Sequence, residues 1–155
     1  MKTNWKKRLI CWAIPLAAGA LSALLAGGMD IYKTINQPPL SPPGWVFPVV
    51  WTVLYLLMGE ASYRVLTSGA DEKKIRSALI AYGVQLVLNV LWSPIFFRFQ
   101  WFLAAFILLL VLLGAIFVTL RKFCAIDERS GDLLIPYFLW VSFAGYLNLG
   151  VFLLN

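Results

Sequence analysis

Three sets of side chains in this sequence have the types and the spacing that suit the binding of a flat, apolar molecule. Each set recurs every four residues, and residues four apart lie on one face of a helix. The sets are Phe47, Trp51 and Tyr55; Gln85, Asn89 and Ser93, with Trp92 beside them; and Trp140, Ala144 and Asn148, with Phe143 beside them. Aromatic rings stack on flat ligands and amides form hydrogen bonds, so these sets predict an aromatic cavity with a few polar anchors.

The elements that must position these residues are membrane helices. Hydrophobic residues make up 61% of the chain and charged residues only 13%, which is more apolar surface than a soluble domain of 155 residues could bury. Uncharged runs of about 20 residues, enough to cross a bilayer, recur along the chain. We therefore predict an all-α fold: one polytopic membrane domain over residues 1–155, with five transmembrane helices at about 9–28, 46–65, 77–97, 101–122 and 133–153.

The predicted bounds bring most of the candidate residues to one depth in the membrane. At about 1.5 Å per residue, Trp51, Asn89 and Asn148 all lie roughly 18–22 Å from the end of the bundle that carries the N-terminus. The loop 29–45 contains Tyr32 and a proline-rich stretch that holds the chain extended. We expect this loop to cover the cavity as a lid, although a plain connector would have the same composition. The candidate ligand-binding residues are Tyr32, Pro42, Trp51, Tyr55, Asn89, Trp92, Ser93, Trp140, Phe143, Ala144 and Asn148.

Basic residues are distributed unequally between the two ends of the predicted bundle. With five spans, the N-terminal tail and the loops at 66–76 and 123–132 share one side, and all but two of the 13 lysines and arginines lie on that side or at its border. The two exceptions are Lys33 and Arg98. Because cytoplasmic loops are enriched in Lys and Arg, we predict that in a bacterial cell membrane the N-terminus is cytoplasmic and the C-terminus is external. The basic residues then interact with the anionic headgroups of the lipid bilayer, and we expect no nucleic-acid partner.

The composition argues against most conventional catalytic chemistry. The sequence contains no histidine, which is the commonest general base and a frequent haem and zinc ligand. We predict no metal site, and the motifs provide no nucleophilic triad or phosphate-binding loop. Glu60 is the one charge well inside a predicted span, and its spacing from Arg64 predicts an ion pair along the helix.

Three longer motifs, in order along the chain, resemble the TspO/translocator protein family, whose members are also called tryptophan-rich sensory proteins and peripheral-type benzodiazepine receptors. The motifs are SPPGWVFPVVWTVLYLLMG at 41–59, QLVLNVLWSPIFF at 85–97 and PYFLWVSFAGYLN at 136–148. The resemblance implies a five-helix bundle, usually a homodimer, that binds porphyrins and synthetic isoquinoline-carboxamide or benzodiazepine-type ligands beneath the first loop. The residues that match the family's pocket positions are Trp51, Asn89, Trp140 and Ala144.

For a bacterial member, the resemblance also implies light-dependent breakdown of protoporphyrin through the pocket tryptophans, which here are Trp51 and Trp140. Indoles are oxidisable, so an excited porphyrin can take an electron from them without an acid–base pair. Porphyrin would be the ligand or the substrate, and no cofactor is required. The cholesterol motif of animal members is incomplete, because residues 147–155 lack its tyrosine followed by a basic residue.

These observations leave three classes of function open. The leading hypothesis is a tetrapyrrole-binding membrane protein that acts as a sensor or carrier, with light-driven turnover as an added activity. The second is a transporter of lipids or small amphiphiles, which predicts two alternating gates where the sequence shows one lid and no inverted repeat. The third is a membrane scaffold, in which the polar rows join helices and the aromatic rows only fill the core.

Overall fold

Five long helices form most of the described part of the chain, with one long connection, between α1 and α2, and short connections elsewhere. The computed structural model describes residues 2–155. The helices are α1 (Trp5–Ala26), α2 (Val46–Leu66), α3 (Glu72–Ser93), α4 (Phe102–Ile126) and α5 (Glu128–Leu154), with a 3₁₀ turn at Asp30–Lys33 and a π-helical turn at Pro94–Arg98. All five helices are long and apolar enough to cross a membrane, which confirms the predicted all-α membrane fold.

The N-terminal ends of α3 and α5 lie outside the predicted bounds. α3 begins at Glu72 rather than at 77, and α1 likewise begins at Trp5 rather than at 9. Because α4 ends at Ile126 rather than at 122 and α5 begins at Glu128 rather than at 133, the predicted loop 123–132 shrinks to Asp127. Charged residues end an apolar run without ending a helix, because Glu, Lys and Arg are good helix formers. Asp127 alone interrupts the helical path, with an extended backbone at φ −148° and ψ 112°.

Proline determines where α3 ends. Pro94 has no N–H to donate, and the chain continues as a π-helical turn in which the Phe99 N–H donates to the Pro94 carbonyl at 3.0 Å. The turn contributes Phe96 and Phe97 to a small buried cluster with Val151 of α5. This cluster lies at the same end of the bundle as the loop 29–45, whose apolar residues pack against it.

The main hydrophobic core joins α2, α3, α4 and α5. Met58 and Ile116 are completely buried in it, and Tyr137 is 1% exposed. The outer surfaces stay apolar, with Leu24 77% exposed and Leu139 61% exposed. An apolar exterior around a packed interior is the arrangement expected of helices surrounded by lipid.

The predicted ion pair between Glu60 and Arg64 is wrong. The Glu60 carboxylate instead accepts hydrogen bonds from Arg8 of α1, at 2.5 and 2.9 Å. Arg64 Nε donates to Asp127 at 2.7 Å. Helical spacing brings two side chains within reach of each other, but each of these finds a closer partner on a neighbouring element. The charged residues of α2 therefore join α2 to α1 and to the α4–α5 junction.

The loop 29–45 is fastened to α5. The Tyr146 hydroxyl donates to the Pro39 carbonyl at 2.7 Å. The Pro38 ring lies so close to Gly150 that a side chain at this glycine would collide with it. Within the loop, the Tyr32 hydroxyl donates to the Pro42 carbonyl. These contacts hold the proline-rich stretch over one end of the bundle.

Candidate functional site

A cavity of about 390 Å³ opens between α1, α2 and α3, with α4 and α5 behind it. The volume lies within the roughly 300–1,000 Å³ that is usual for small-molecule sites. Of the candidate ligand-binding residues, six line it: Trp51, Tyr55, Asn89, Trp92, Ser93 and Ala144. The structure thus brings together residues from α2, α3 and α5 that are separated by up to about 90 positions in the sequence.

The α2 wall of the cavity is aromatic. Trp51 stacks on Tyr55, with ring centroids 5.5 Å apart and an angle of 27° between the ring planes. The edge of the same indole meets Tyr137 of the core at 6.1 Å. Phe47 adds a third ring at the end of the wall nearest the loop 29–45. The four-residue spacing along α2 produces this surface, since it places all three rings on one face.

Asn89 places a buried amide in the lining of the cavity, and this amide has partners on both sides. The Tyr55 hydroxyl donates to Asn89 Oδ1 at 2.9 Å, and Asn89 Nδ2 donates to the Tyr137 hydroxyl at 2.7 Å. The Tyr137 hydroxyl in turn donates to Gln85 Oε1 at 2.7 Å. This chain fixes the orientation of Tyr55, so one role of Asn89 is to position the aromatic wall.

Small residues of α1 form the wall opposite Trp51. Gly19, Ala20 and Ala23 line the cavity from this side. A Cβ atom at Gly19 would collide with the Tyr55 ring, so glycine allows α1 to approach the aromatic wall closely. The Ser22 hydroxyl donates to the Val90 carbonyl at 3.0 Å and ties α1 to α3.

The other five candidates lie outside the cavity lining. Tyr32, Trp140 and Phe143 continue the aromatic wall as a row behind Phe47: Tyr32 meets Phe47 at 5.2 Å, Phe47 meets Trp140 at 5.8 Å, and Trp140 meets Phe143 at 5.6 Å. Pro42 accepts the hydrogen bond of Tyr32 in the loop 29–45. Partial burial raises the pKa of the Tyr32 phenol, so this hydroxyl stays protonated and able to donate.

Asn148 lies behind the cavity and supports one of its walls. Asn148 Oδ1 accepts a hydrogen bond from the Trp92 indole N–H at 3.0 Å, and Asn148 Nδ2 donates to the Phe102 carbonyl at 2.8 Å. Trp92 also stacks on Phe96 with 5.0 Å between ring centroids. Asn148 therefore orients a cavity residue from a position where it is 1% exposed.

Several lining residues were not among the sequence-based candidates. Leu109 and Leu112 of α4 contribute to the cavity, as do Met29 and Phe97. Leucines in an apolar helix give no signal that separates a cavity wall from ordinary packing. One feature of the sequence points to Phe97 as a cavity residue. It ends the motif at 85–97 and follows Trp92 by five residues, a spacing that a π-helical turn brings back to the same face.

Comparison with known proteins agrees with this architecture. The model of the TspO/MBR family matches residues 11–154. The chain belongs to the TspO/MBR family. It is 35% identical over 146 residues to the tryptophan-rich protein TspO of Chlorobaculum tepidum, covering 94% of this chain and 91% of that one. It is 34% identical over 155 residues to a tryptophan-rich sensory protein of Cereibacter sphaeroides, covering 100% and 95% of the two chains.

The similarity extends to animal members of the TspO/MBR family. A translocator protein of Bos taurus is 33% identical over 151 residues, which cover 96% of this chain and 89% of the bovine one. Together with the five apolar helices, this family membership establishes a membrane protein with bacterial and animal relatives. It also confirms the resemblance drawn from the three motifs.

Proposed function

We propose that this protein binds flat, apolar ligands of the porphyrin class inside the membrane and acts as a sensor or carrier for them. The observation that supports the proposal best is the cavity of about 390 Å³ with its stacked pair Trp51 and Tyr55, the indole of Trp92 and a single buried amide, Asn89. Apolar walls with a few polar groups are typical of small-molecule sites.

A titration with metal-free protoporphyrin tests this proposal. The full chain in detergent micelles should quench or shift the porphyrin fluorescence in a saturable way. The variant Ala144→Phe places a ring in the cavity and should abolish binding, because Ala144 lines the cavity and is buried. The matched control is Ala125→Phe on the exposed surface of α4, which should bind like wild type. Equal binding by both variants would refute the proposed site.

The position of Trp140 requires a refinement of the binding hypothesis. A ring held between Trp51 and Trp140 has to displace Phe47, whose ring meets Trp140 at 5.8 Å and lines the cavity. A smaller ligand can occupy the cavity on the Trp51 side with Phe47 in place. We therefore propose that Trp51 contacts every ligand, whereas Trp140 contacts only those large enough to move Phe47.

We also propose that bound porphyrin is degraded in a light- and oxygen-dependent reaction in which an indole, Trp51 or Trp140, gives one electron to the excited ligand. The variants Trp51→Phe and Trp140→Phe test this proposal, because phenylalanine keeps a ring in place but is much harder to oxidise. Binding should largely survive, while product formation under illumination falls. Wild-type product formation by the double variant would refute electron transfer from these indoles, and the tryptophans would then be only walls of a sensor's or carrier's site.

The remaining proposal concerns orientation in the membrane. We propose that the N-terminal end of the bundle faces the cytoplasm, because most of the lysines and arginines lie at that end. Two hydrogen bonds support the placement of the basic segments on one side of the membrane. The Asn4 N–H donates to the Tyr63 hydroxyl at 3.0 Å, and Lys122 donates to Ser77 at 2.7 Å. Labelling of Cys124, which is exposed, by a membrane-impermeant thiol reagent should require broken cells.

A further inference from the structure

A second cavity, of about 330 Å³, lies at the N-terminal end of the bundle, and we call it the basal cavity. Its walls are polar and charged, in contrast to the aromatic cavity. The lining residues are Thr3, Arg8, Glu60, Tyr63, Arg64, Thr67, Ser68, Ile126 and Asp127. The two cavities share no lining residue, so the basal cavity is a separate site.

Three of the four carboxylate oxygens of the basal cavity already accept side-chain hydrogen bonds. Glu60 accepts hydrogen bonds from Arg8 at 2.5 and 2.9 Å and from the Trp12 indole N–H at 3.0 Å. Asp127 Oδ2 accepts from Arg64 at 2.7 Å and from the Ser130 hydroxyl at 2.8 Å. A ligand that offered only donors, such as a free ammonium group, would compete with these bonds.

Several donors of the basal cavity, by contrast, remain available. Within residues 2–155, Arg8 donates through Nε and Nη2, which leaves Nη1, and Arg64 donates only through Nε, which leaves both terminal nitrogens. The Tyr63 hydroxyl accepts from the Asn4 N–H at 3.0 Å, so its own proton can go to a ligand. Two guanidinium groups with spare N–H groups in a concave site match the oxygens of a phosphate.

Arg8 is also held in place before any ligand arrives. Its guanidinium carbon lies 5.1 Å from the Trp5 ring centroid, 5.5 Å from that of Trp12 and 5.3 Å from that of Tyr63. Together with the Glu60 ion pair, these rings restrict the side chain to one position. A donor that is already ordered loses less entropy when it binds an anion.

We propose that the basal cavity binds a phosphate group, supplied either by the headgroup of an anionic lipid or by free phosphate. The surroundings suit both sources. The chain carries a net charge of +6, and Lys6 and Lys7 precede Arg8 on α1, so anions are attracted to this end of the bundle. Trp5 is 58% exposed and Leu9 54% exposed beside it, which provides an apolar surface for the acyl chains of a lipid.

Calorimetric titration of the full chain in nonionic detergent tests the proposal. Three ligands separate the sources: inorganic phosphate, dihexanoyl phosphatidic acid and dihexanoylglycerol, which has the same chains without the phosphate. The test variant is Arg64→Gln with Asp127→Asn, which removes guanidinium donors while keeping the charge of the pair at zero. We expect it to weaken phosphate-dependent binding at least tenfold. The control is Arg121→Gln, an exposed arginine of α4 outside the basal cavity, which should bind like wild type.

The proposal is supported if both phosphate compounds bind, or if phosphatidic acid alone binds, and if the double variant weakens that binding. Binding of phosphatidic acid alone identifies a lipid as the source of the phosphate group. Failure of both phosphate compounds to bind overturns the proposal. The proposal is also overturned if dihexanoylglycerol binds as tightly as phosphatidic acid, if the double variant binds like wild type, or if Arg121→Gln weakens binding as much as the double variant does. If the double variant loses its helical circular dichroism, Tyr63→Phe takes its place, because it removes one donor and no charge while keeping the ring, and it should weaken binding severalfold.

Discussion

Replacing Trp51 by alanine removes the ring that stacks on Tyr55 at 5.5 Å and faces the aromatic cavity. A porphyrin bound there loses one stacking partner. Aromatic stacking is worth about 0.5–1.5 kcal/mol beyond the burial of area. At about 1.4 kcal/mol per factor of ten, Kd for protoporphyrin should rise roughly two- to twelvefold. The loss of buried area would add to this value, so it is a lower range.

The assay is a fluorescence titration of metal-free protoporphyrin in detergent, with three proteins compared under one condition. Wild type sets the reference, and Trp101→Ala is the matched control, because Trp101 is 60% exposed and stacks only on Phe99 at 5.0 Å, away from the cavity. Trp101→Ala should leave Kd unchanged. The Trp51 indole also meets Tyr137 at 6.1 Å, so a thermal melt of each variant must accompany the titration.

Two results would refute the reasoning. Unchanged affinity in Trp51→Ala would mean that the ligand does not contact this wall. Equal weakening in Trp51→Ala and Trp101→Ala, with equal loss of thermal stability, would mean that the tryptophans only maintain the fold.

Three further outcomes are expected in thermal or pH unfolding experiments in micelles. Gly59→Ala should lower the free energy of unfolding by about 1–3 kcal/mol, because the new Cβ would lie 2.7 Å from a backbone atom of α1. Gly83→Ala, whose Cβ would meet no atom within 4 Å, should instead stabilise α3 by up to about 1 kcal/mol. Asn89→Leu should cost about 1–3 kcal/mol by leaving a buried tyrosine hydroxyl unpaired. The Arg64 guanidinium lowers the pKa of Asp127 from its ordinary 3.8. The ion pair therefore stabilises the fold above that pH, and this stabilisation is lost as the pH falls through the lowered pKa. Asp127→Asn should remove this part of the acid sensitivity.

The fold was predictable because the bilayer imposes a length and a polarity on each helix. Uncharged runs of the required length identify four spans, and a shorter apolar run that continues past Glu60 indicates the fifth; the structure has five such helices within residues 2–155. The helix ends were less predictable, since charged residues at Glu72 and Glu128 remain helical. Ion pairing was not predictable either. Glu60 and Arg64 satisfy the helical spacing, but Arg8 and Asp127 come closer in space, and only the packing of α1 and α5 against α2 determines that.

The candidate site shows the same division between what a helical pattern determines and what packing determines. The pattern gives the face and the depth of a side chain, so Trp92 and Asn148 meet across two helices through a hydrogen bond of 3.0 Å. It does not give the direction in which that face points once five helices pack. Phe47 and Trp51 share a face of α2, yet Phe47 touches Trp140 while Trp51 touches Tyr137.

Phe47 links the two candidate tryptophans, Trp51 and Trp140. Its ring lines the cavity together with Trp51 and lies 5.8 Å from the Trp140 ring, and Tyr32 contacts it from the loop 29–45 at 5.2 Å. Tyr32 in turn donates a hydrogen bond to Pro42, so one aromatic contact joins the lining of the cavity to the proline-rich loop.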